Sequence, residues 1–434
     1  MTSPRTHTAP ATPDAALTNP LTHHVAAQHP SRIAGADGMR ALAALGVMFS
    51  HIFQRLAMDQ EGWLLTFQGI MMNGAYGVII FFILSGMLLS LPFWRAYLDG
   101  APRPSLRHYV RRRAARIVPG FYASLLVSFA VSFLLFDEVR SPVLRLVSGL
   151  TFTSGFHWLT FFPAESNGPL WSISLEVVSY VLMPVAMLGM YALGRRRSRA
   201  DAVADSAGRR GFRFGVGYWV VLWVVVLVVN QILITHITVS NEGKGWQFGN
   251  VGGAKEWVPF YSPWSFFAHF AVGVMVAGVI VWWQRRGGRR LWRFDLIAAA
   301  GLLGIAALVW ITRFPVEPNF RDSFQHLPFL FPWLTLAAGV ALVGLAYSRL
   351  LGRLMDNRFF RYTAQVSFGI YIWHYLILHL MSYLTHGEFE YGGVDNPVRF
   401  AWIAGATVVL AYTVATLSWT WIERPVLMSR WARR

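Results

Sequence analysis

Long apolar stretches alternate with short polar ones along most of the chain. From residue 39 onward, each apolar stretch is long enough to form a helix across a hydrocarbon core of about 30 Å. The pattern therefore predicts an all-α, polytopic integral membrane protein with about ten transmembrane helices. The predicted spans are 39–57, 75–94, 117–136, 170–193, 216–236, 264–284, 295–312, 328–347, 365–385 and 398–420.

The two ends of the chain and one internal stretch depart from this pattern. Residues 1–31 are rich in Thr, Ala, Pro and His and have no apolar core, which predicts a disordered cytoplasmic tail and not a signal peptide. Residues 32–427 form the predicted transmembrane domain, and 428–434 a basic cytoplasmic tail. The weakly apolar stretch 141–162 would reverse every later loop if it crossed the membrane, so it is predicted to be an outer or re-entrant segment.

Composition and charge support this interpretation. The chain is 55% hydrophobic and 14% charged, against about 25% charged in soluble domains. Its net charge of +17 comes from basic clusters between apolar runs, which is typical of residues that set membrane orientation and argues against nucleic-acid binding. With no cysteine, the chain has no disulfide, thiolate metal site or cysteine nucleophile.

The distribution of basic residues predicts the orientation in the plasma membrane. With a cytoplasmic N-terminus, 30 of the 38 Lys and Arg residues fall on the cytoplasmic side. The loops centred on residues 105, 203, 288 and 355 and both termini are then cytoplasmic, and the loops near 250, 320 and 391 are external.

The first predicted helix carries two ionisable residues on one face. Arg40 and His51 are eleven residues apart, which is three turns plus about 20° and about 16 Å along the axis. If Arg40 lies at the membrane surface, His51 lies near the middle of the bilayer. An ionisable residue at that depth indicates function, with a hydrogen-bonded packing histidine as the alternative.

Glu176 is the one carboxylate that the pattern places well inside a predicted span. Burying an acidic residue near the centre of a span costs about 2.5–3.5 kcal/mol, which argues against an unpaired structural role. Its depth matches that of His51. A structural pair of Glu176 with a histidine or an arginine remains the alternative.

A basic cluster lies directly before the third predicted span. Arg113 and Arg116 are three residues apart on one helix face, so both can reach one phosphate. An ordinary loop that sets orientation is the alternative. In the ninth span, His374 is predicted near mid-membrane. No pattern for a metal site, a nucleotide-binding loop or a serine-hydrolase elbow is present.

Six stretches together resemble the membrane-bound acyltransferase 3 family over residues 33–427. Met39 in the first stretch and Val177-Val178 after Glu176 depart mildly from the family pattern. The stretches are DGMRA (37–41) followed by His51, GVIIFFILSG (77–86), RRAARIVP (112–119), LWSISLE (170–176), SFGIYIWH (367–374) and ERP (423–425) just after the last predicted helix.

The resemblance implies ten core helices and an O-acyltransferase. An acetyl or other short-chain acyl group would pass from cytoplasmic acyl-CoA to a hydroxyl of a carbohydrate, a glycolipid or a glycosylated metabolite. Acyl-CoA is then a substrate, and no tightly bound cofactor is expected. A fused esterase-like domain, present in some relatives, is not expected here.

Residue chemistry and resemblance lead to one mechanistic hypothesis. Arg113, Arg116 and Arg40 bind the donor phosphates, and His51 is the general base. Glu176 orients His51, and Asp37 holds Arg40. The alternative from another class is a transporter or exporter of lipid or glycan that uses His51 and Glu176 as a proton relay. The oligomeric state is not predicted by any of these patterns.

Overall fold

A computed structural model describes residues 32–57, 60–198, 204–241, 254–255, 258, 260–313, 330–386 and 393–433. Within these ranges the regular structure is helical, apart from an isolated bridge between Leu56 and Val394. All helices given below belong to one compact unit, Ala34–Arg434. The predicted tail 1–31 lies outside the described residues.

The long helices of the described residues coincide with the predicted spans. The last long helix, α13 (Pro397–Ser418), continues into a π-helical turn, Trp419–Glu423, and then into α14 (Arg424–Leu427), which α15 (Arg430–Arg433) follows. In chain order the other helices are α1 (Ala36–Phe53), α2 (Gly62–Met72), α3 (Gly77–Asp99), α4 (Leu106–Leu135), α5 (Pro142–Leu150), α6 (Trp171–Ser198), α7 (Ala204–Asn241), α8 (Pro263–Arg285), α9 (Trp292–Ile311), α10 (Leu330–Tyr347), α11 (Leu351–Leu354) and α12 (Arg358–His386).

Within the described residues, seven helical runs are long and apolar enough to cross a membrane, which confirms a multi-pass α-helical membrane protein. The count of ten spans is not confirmed. Helices α1, α10 and α12 match predicted spans but are not among the seven. The runs are Gly62–Asp99, Leu106–Leu135, Gly168–Gly194, Gly208–Asn230, Pro263–Arg285, Trp292–Ile311 and Pro397–Leu427.

Two physical reasons account for this difference. Helices α1 and α12 carry buried polar side chains that reduce their apolar character, among them Ser50 and His374. The described apolar part of α10, Pro332–Tyr347, is short for a span. A helix that is enclosed by other helices does not need an apolar surface on every side, because lipid does not surround it.

Polar residues in the loops define where several helices begin. Ser105, Ser262 and Asn396 precede α4, α8 and α13, and each side chain accepts a hydrogen bond from a backbone N–H in the first turn. Proline then occupies the first turn of α8 and α13, where a missing N–H costs little. These helix starts are therefore determined locally.

Helix α1 packs against α2, α3 and α12, so the first predicted helix lies inside the bundle. Close approach to α3 depends on small residues. A Cβ atom at Gly77 would overlap the carbonyl of Ala43, and one at Gly74 would overlap the carbonyl of Gly46. Small residues that let helix backbones approach are a common basis of helix association in membranes.

The stretch 141–162 does not form a spanning helix, as predicted. Helix α5 has nine residues, about 14 Å of helix, and is followed by short 3₁₀ turns. The buried Arg145 holds the segment together: its Nε donates to the Phe162 carbonyl at 2.7 Å, and its Nη1 pairs with Glu165 at 2.5 Å.

The orientation itself is still a prediction, and the loops centred on 203, 250, 320 and 391 lie outside the described residues. The absence of cysteine allows a direct measurement, since one introduced cysteine is the only thiol. We expect Asn250→Cys to react with a membrane-impermeant maleimide in intact cells. Pro102→Cys, in the loop centred on residue 105, should react only after the membrane is opened. The reverse pattern would invert the predicted orientation.

Candidate functional site

Five helices line an open cavity that collects most of the predicted site residues and measures about 700 Å³ when its solvent-filled mouth is included. We call it the arginine cavity, because Arg40, Arg113 and Arg116 line it together. Its walls come from α1, α3, α4, α6 and α12. The polar lining residues are Arg40, Ser85, Arg113, Arg116, Ser172, Glu176, Tyr180, Ser367 and Tyr371.

The three arginines come from two helices that are distant in sequence. Arg40 is in the second turn of α1, and Arg113 and Arg116 lie in the first half of α4. Arg113 has no hydrogen bond or ion pair within the described residues, whereas Arg116 pairs with Glu423 at 3.4 Å. The prediction that these arginines share one site is supported by their convergence, and their binding role is still a hypothesis.

Glu176 lies in the arginine cavity and does not contact His51, so the predicted pairing of these two residues is wrong. Its Oε1 accepts a hydrogen bond from Ser85 Oγ at 2.8 Å and another from the Tyr180 hydroxyl. The sequence pairs the two residues by their expected depth, but depth does not fix which way a helix faces. Ser85 also lines the arginine cavity.

Asp37 does not hold Arg40. No ion pair joins the two residues in the described part of the chain, although both belong to the first turns of α1. Arg40 turns toward the arginine cavity instead. Three-residue spacing on a helix permits a contact without requiring it.

His51 pairs with His374, which the sequence also places near mid-membrane. The Nδ1 atom of His51 lies 2.8 Å from Nε2 of His374, and Nδ1 of His374 lies 2.9 Å from the Ile370 carbonyl. A carbonyl only accepts, so Nδ1 of His374 carries the proton and its Nε2 accepts from His51 in the neutral pair. The Nε2 atom of His51 is then left as the basic atom.

Tyr371 connects the arginine cavity to the histidine pair. It lines the cavity, and its ring centroid is 6.1 Å from that of His374, one turn further along α12. Its hydroxyl bonds Ser172 Oγ at 2.5 Å and donates to the Pro169 carbonyl at 2.9 Å. These bonds fix the start of α6 against the turn of α12 that carries His374.

A second set of hydrogen bonds anchors the same turn of α12. The Ile372 carbonyl accepts from Ser124 Oγ at 2.6 Å and from the Asn167 amide at 2.9 Å. Asn167 also donates to Ser128 Oγ at 3.0 Å. Ser124, Ser128 and Asn167 are all fully buried, so this network fixes the backbone next to His374.

Sequence reasoning missed Tyr371, Ser172, Tyr180 and Glu423 as parts of the site. A partial signal existed, because Ser367, Tyr371 and His374 recur at helical spacing and share one face of α12. For Glu423 the signal was its place in the ERP stretch (423–425), but it was predicted to follow the last helix, whereas it is 1% exposed within the helical run Pro397–Leu427. Glu176 is therefore not the only carboxylate within a span.

Trp171 lies outside the arginine cavity. Trp171 stacks on Phe161 with ring centroids 5.2 Å apart and contacts Tyr261 at 5.0 Å, which makes it part of an aromatic cluster. Within the described residues, no group of three His, Asp or Glu side chains is arranged to hold a metal ion.

A bundle of apolar helices that surrounds half-buried arginines, a carboxylate and a pair of histidines defines a multi-pass membrane protein with an internal polar site. Sequence comparison identifies the family. The acyltransferase-3 family, described as an acyltransferase domain, matches residues 33–418, so the chain belongs to this family and the resemblance seen in its residues is confirmed.

Individual relatives are similar over different parts of the chain. "Putative peptidoglycan O-acetyltransferase YrhL" of Bacillus subtilis is 26% identical over 419 residues, which are 92% of this chain and 55% of YrhL. A "Putative O-acetyltransferase" of Staphylococcus aureus (strain COL) is 25% identical over 173 residues, 38% of this chain and 26% of that protein. The chain thus spans about half of YrhL and a smaller share of the staphylococcal protein.

A more distant relative comes from an animal. "Regulator of hypoxia-inducible factor 1" of Caenorhabditis elegans is 21% identical over 390 residues, 85% of this chain and 72% of that protein. No solved structure matches the chain significantly.

Proposed function

We propose that the chain is a membrane-bound O-acyltransferase that moves an acetyl or other short-chain acyl group from acyl-CoA to a hydroxyl group. One observation carries the proposal. Arg40, Arg113 and Arg116 converge on a cavity beside α1, and the C-terminal part of the same helix presents His51 in a hydrogen-bonded pair with His374. Family membership supports the acyl-transfer chemistry.

The arginine cavity suits the donor. Guanidinium groups bind phosphate oxygens through paired N–H donors, and coenzyme A carries several phosphates. Arg40 and His51 are about 16 Å apart along α1, a distance of the same order as the pantetheine arm. Glu176 adds a hydrogen-bond acceptor within the cavity, where it suits the amide N–H groups of that arm.

The histidine pair suits the transfer step. The acceptor O–H gives its proton to Nε2 of His51 as its oxygen attacks the thioester carbonyl. Collapse of the tetrahedral intermediate breaks the carbon–sulfur bond, and the thiolate of CoA takes the proton back. His374 replaces Glu176 as the residue that orients His51, because it accepts the Nδ1–H.

For the acceptor we propose a hydroxyl of a carbohydrate. The printed name of YrhL refers to peptidoglycan, which makes peptidoglycan fragments the first acceptors to test. A glycolipid and a glycosylated metabolite are the other two acceptor classes. All three offer sugar hydroxyls to the same base.

The proposal predicts acceptor-dependent release of CoA. Purified protein in detergent is incubated with [acetyl-¹⁴C]acetyl-CoA and each acceptor class in turn, beginning with muropeptides. We expect free thiol and labelled acceptor to form in equal amounts with at least one class, and the label to be released by mild alkali as an ester. Proteoliposomes that move a glycan or lipid without consuming any thioester would instead establish the transporter.

A further inference from the structure

Among the three arginines of the cavity, Arg116 is distinguished by the side chains that surround its guanidinium group. Its guanidinium lies 5.0 Å from the ring centroid of Trp419 and 5.7 Å from that of Phe368, and its Nη1 is 3.4 Å from Glu423 Oε2. Its side chain is nevertheless 17% exposed. Arg113, one turn earlier on α4 and also in the cavity, has no such partners among the described residues.

The Glu423 carboxylate is itself fixed in its place beside Arg116. It is 1% exposed, and its second oxygen, Oε1, accepts from Ser418 Oγ at 3.2 Å. In an α-helix, residues five apart differ by about 140° and cannot meet on one face. The π-helical turn Trp419–Glu423 changes that spacing and brings the Ser418 and Glu423 side chains together.

Space for the carboxylate comes from α4 itself. Gly120 lies one turn after Arg116, and a Cβ atom there would approach Glu423 Cγ at 3.3 Å and Phe368 Cε1 at 3.0 Å. An alanine at this position would crowd both residues. The last helical run therefore reaches Arg116 through a close approach to α4 at Gly120.

We infer that Glu423 is a positioning residue that fixes the Arg116 guanidinium for the donor phosphates. A guanidinium has five N–H donors, and the single long contact to Glu423 uses one of them. The rings of Trp419 and Phe368 lie beside the guanidinium group and restrict its movement, and Arg116 lines the cavity, so its other N–H donors are available to a ligand there. This inference rests on the proposed function of the arginine cavity.

The test measures equilibrium binding of [acetyl-¹⁴C]acetyl-CoA to purified protein. Glu423→Gln keeps the shape of the side chain but removes its charge, and we expect it to weaken binding about tenfold, the effect of one charge-assisted hydrogen bond. In the Arg116→Ala background, Glu423→Gln should have no further effect, because the group it positions is gone.

Two controls separate positioning from stability. Glu165→Gln removes the partner of Arg145, a buried arginine outside the cavity, and should leave acetyl-CoA binding unchanged in folded protein. S-acetylpantetheine has no phosphate, so its own affinity, measured by competition with the labelled acetyl-CoA, should be the same for wild-type and Glu423→Gln protein. Thermal unfolding and size-exclusion profiles establish the folded fraction of each variant.

Three results would overturn the inference. If Glu423→Gln reduces thermal stability but leaves the affinity for acetyl-CoA unchanged, Glu423 only stabilises the fold. If Glu423→Gln binds acetyl-CoA more tightly, Glu423 competes with the donor phosphates for Arg116. Equal losses from Glu423→Gln with and without Arg116 would place its effect elsewhere. If both Glu423→Gln and Arg113→Ala leave acetyl-CoA binding unchanged, the proposed donor site itself is wrong. If Glu423→Gln leaves binding unchanged but Arg113→Ala weakens it, the donor site stands and only the inference about Glu423 is wrong.

Discussion

Replacement of His51 by glutamine is expected to lower turnover by about 10²- to 10⁴-fold, the usual contribution of a general base. Glutamine keeps much of the side-chain volume and can still hydrogen bond to His374, but it accepts no proton at neutral pH. The measurement is the initial rate of thiol release from acetyl-CoA with a competent acceptor, normalised to folded protein. Acetyl-CoA binding should stay near the wild-type value.

His269 provides a matched control for this variant. It is a buried histidine on a helix, and its Nδ1 lies 2.6 Å from Thr335 Oγ1, outside the arginine cavity and the histidine pair. His269→Gln should retain most of the turnover of the folded enzyme. A folded His51→Gln protein with near-native turnover would eliminate His51 as the base.

Removal of the Arg113 side chain should raise the KM for acetyl-CoA about 10- to 100-fold with little change in kcat. A charged hydrogen bond contributes about 1.5–3 kcal/mol, and each 1.4 kcal/mol is a factor of ten. A phosphate contact that does not change during the reaction acts in the ground state and the transition state alike, so its loss appears in KM. Arg113→Lys should rescue binding only in part, because it lacks the paired donors.

The comparison of KM between the alanine variant and the wild type applies to Arg116 as well. A donor without phosphates serves as the control for both variants. Arg116→Ala should raise the KM for acetyl-CoA, and S-acetylpantetheine should be used equally poorly by the wild type and both alanine variants. If both alanine variants fail to insert while the small folded fraction keeps its wild-type KM, the basic cluster serves only to set membrane orientation.

Most site residues were predictable one helix at a time. Arg40 and His51 follow from the helical period, and Arg113 and Arg116 from charge next to an apolar run. Their partners were not predictable in this way. Glu176 was assigned to His51 from matching depth, but the helix rotation that only packing fixes turns it toward Ser85 and Tyr180.

The sequence by itself determined the class of protein. Apolar runs long enough to span a bilayer force helices, because every backbone polar group must be satisfied within the segment. Six short stretches determined the family, which its match over residues 33–418 confirmed.

The tertiary structure decided which side chains meet. The pair of His51 with His374 joins residues that are 323 positions apart, and the pair of Arg116 with Glu423 joins residues 307 apart. No local pattern encodes such contacts, since they depend on how α1 packs on α12 and how the last helical run reaches α4. The π-helical turn at Trp419–Glu423 also changes the periodicity on which face assignments rest. Local periodicity therefore identified the residues, and helix packing selected their partners.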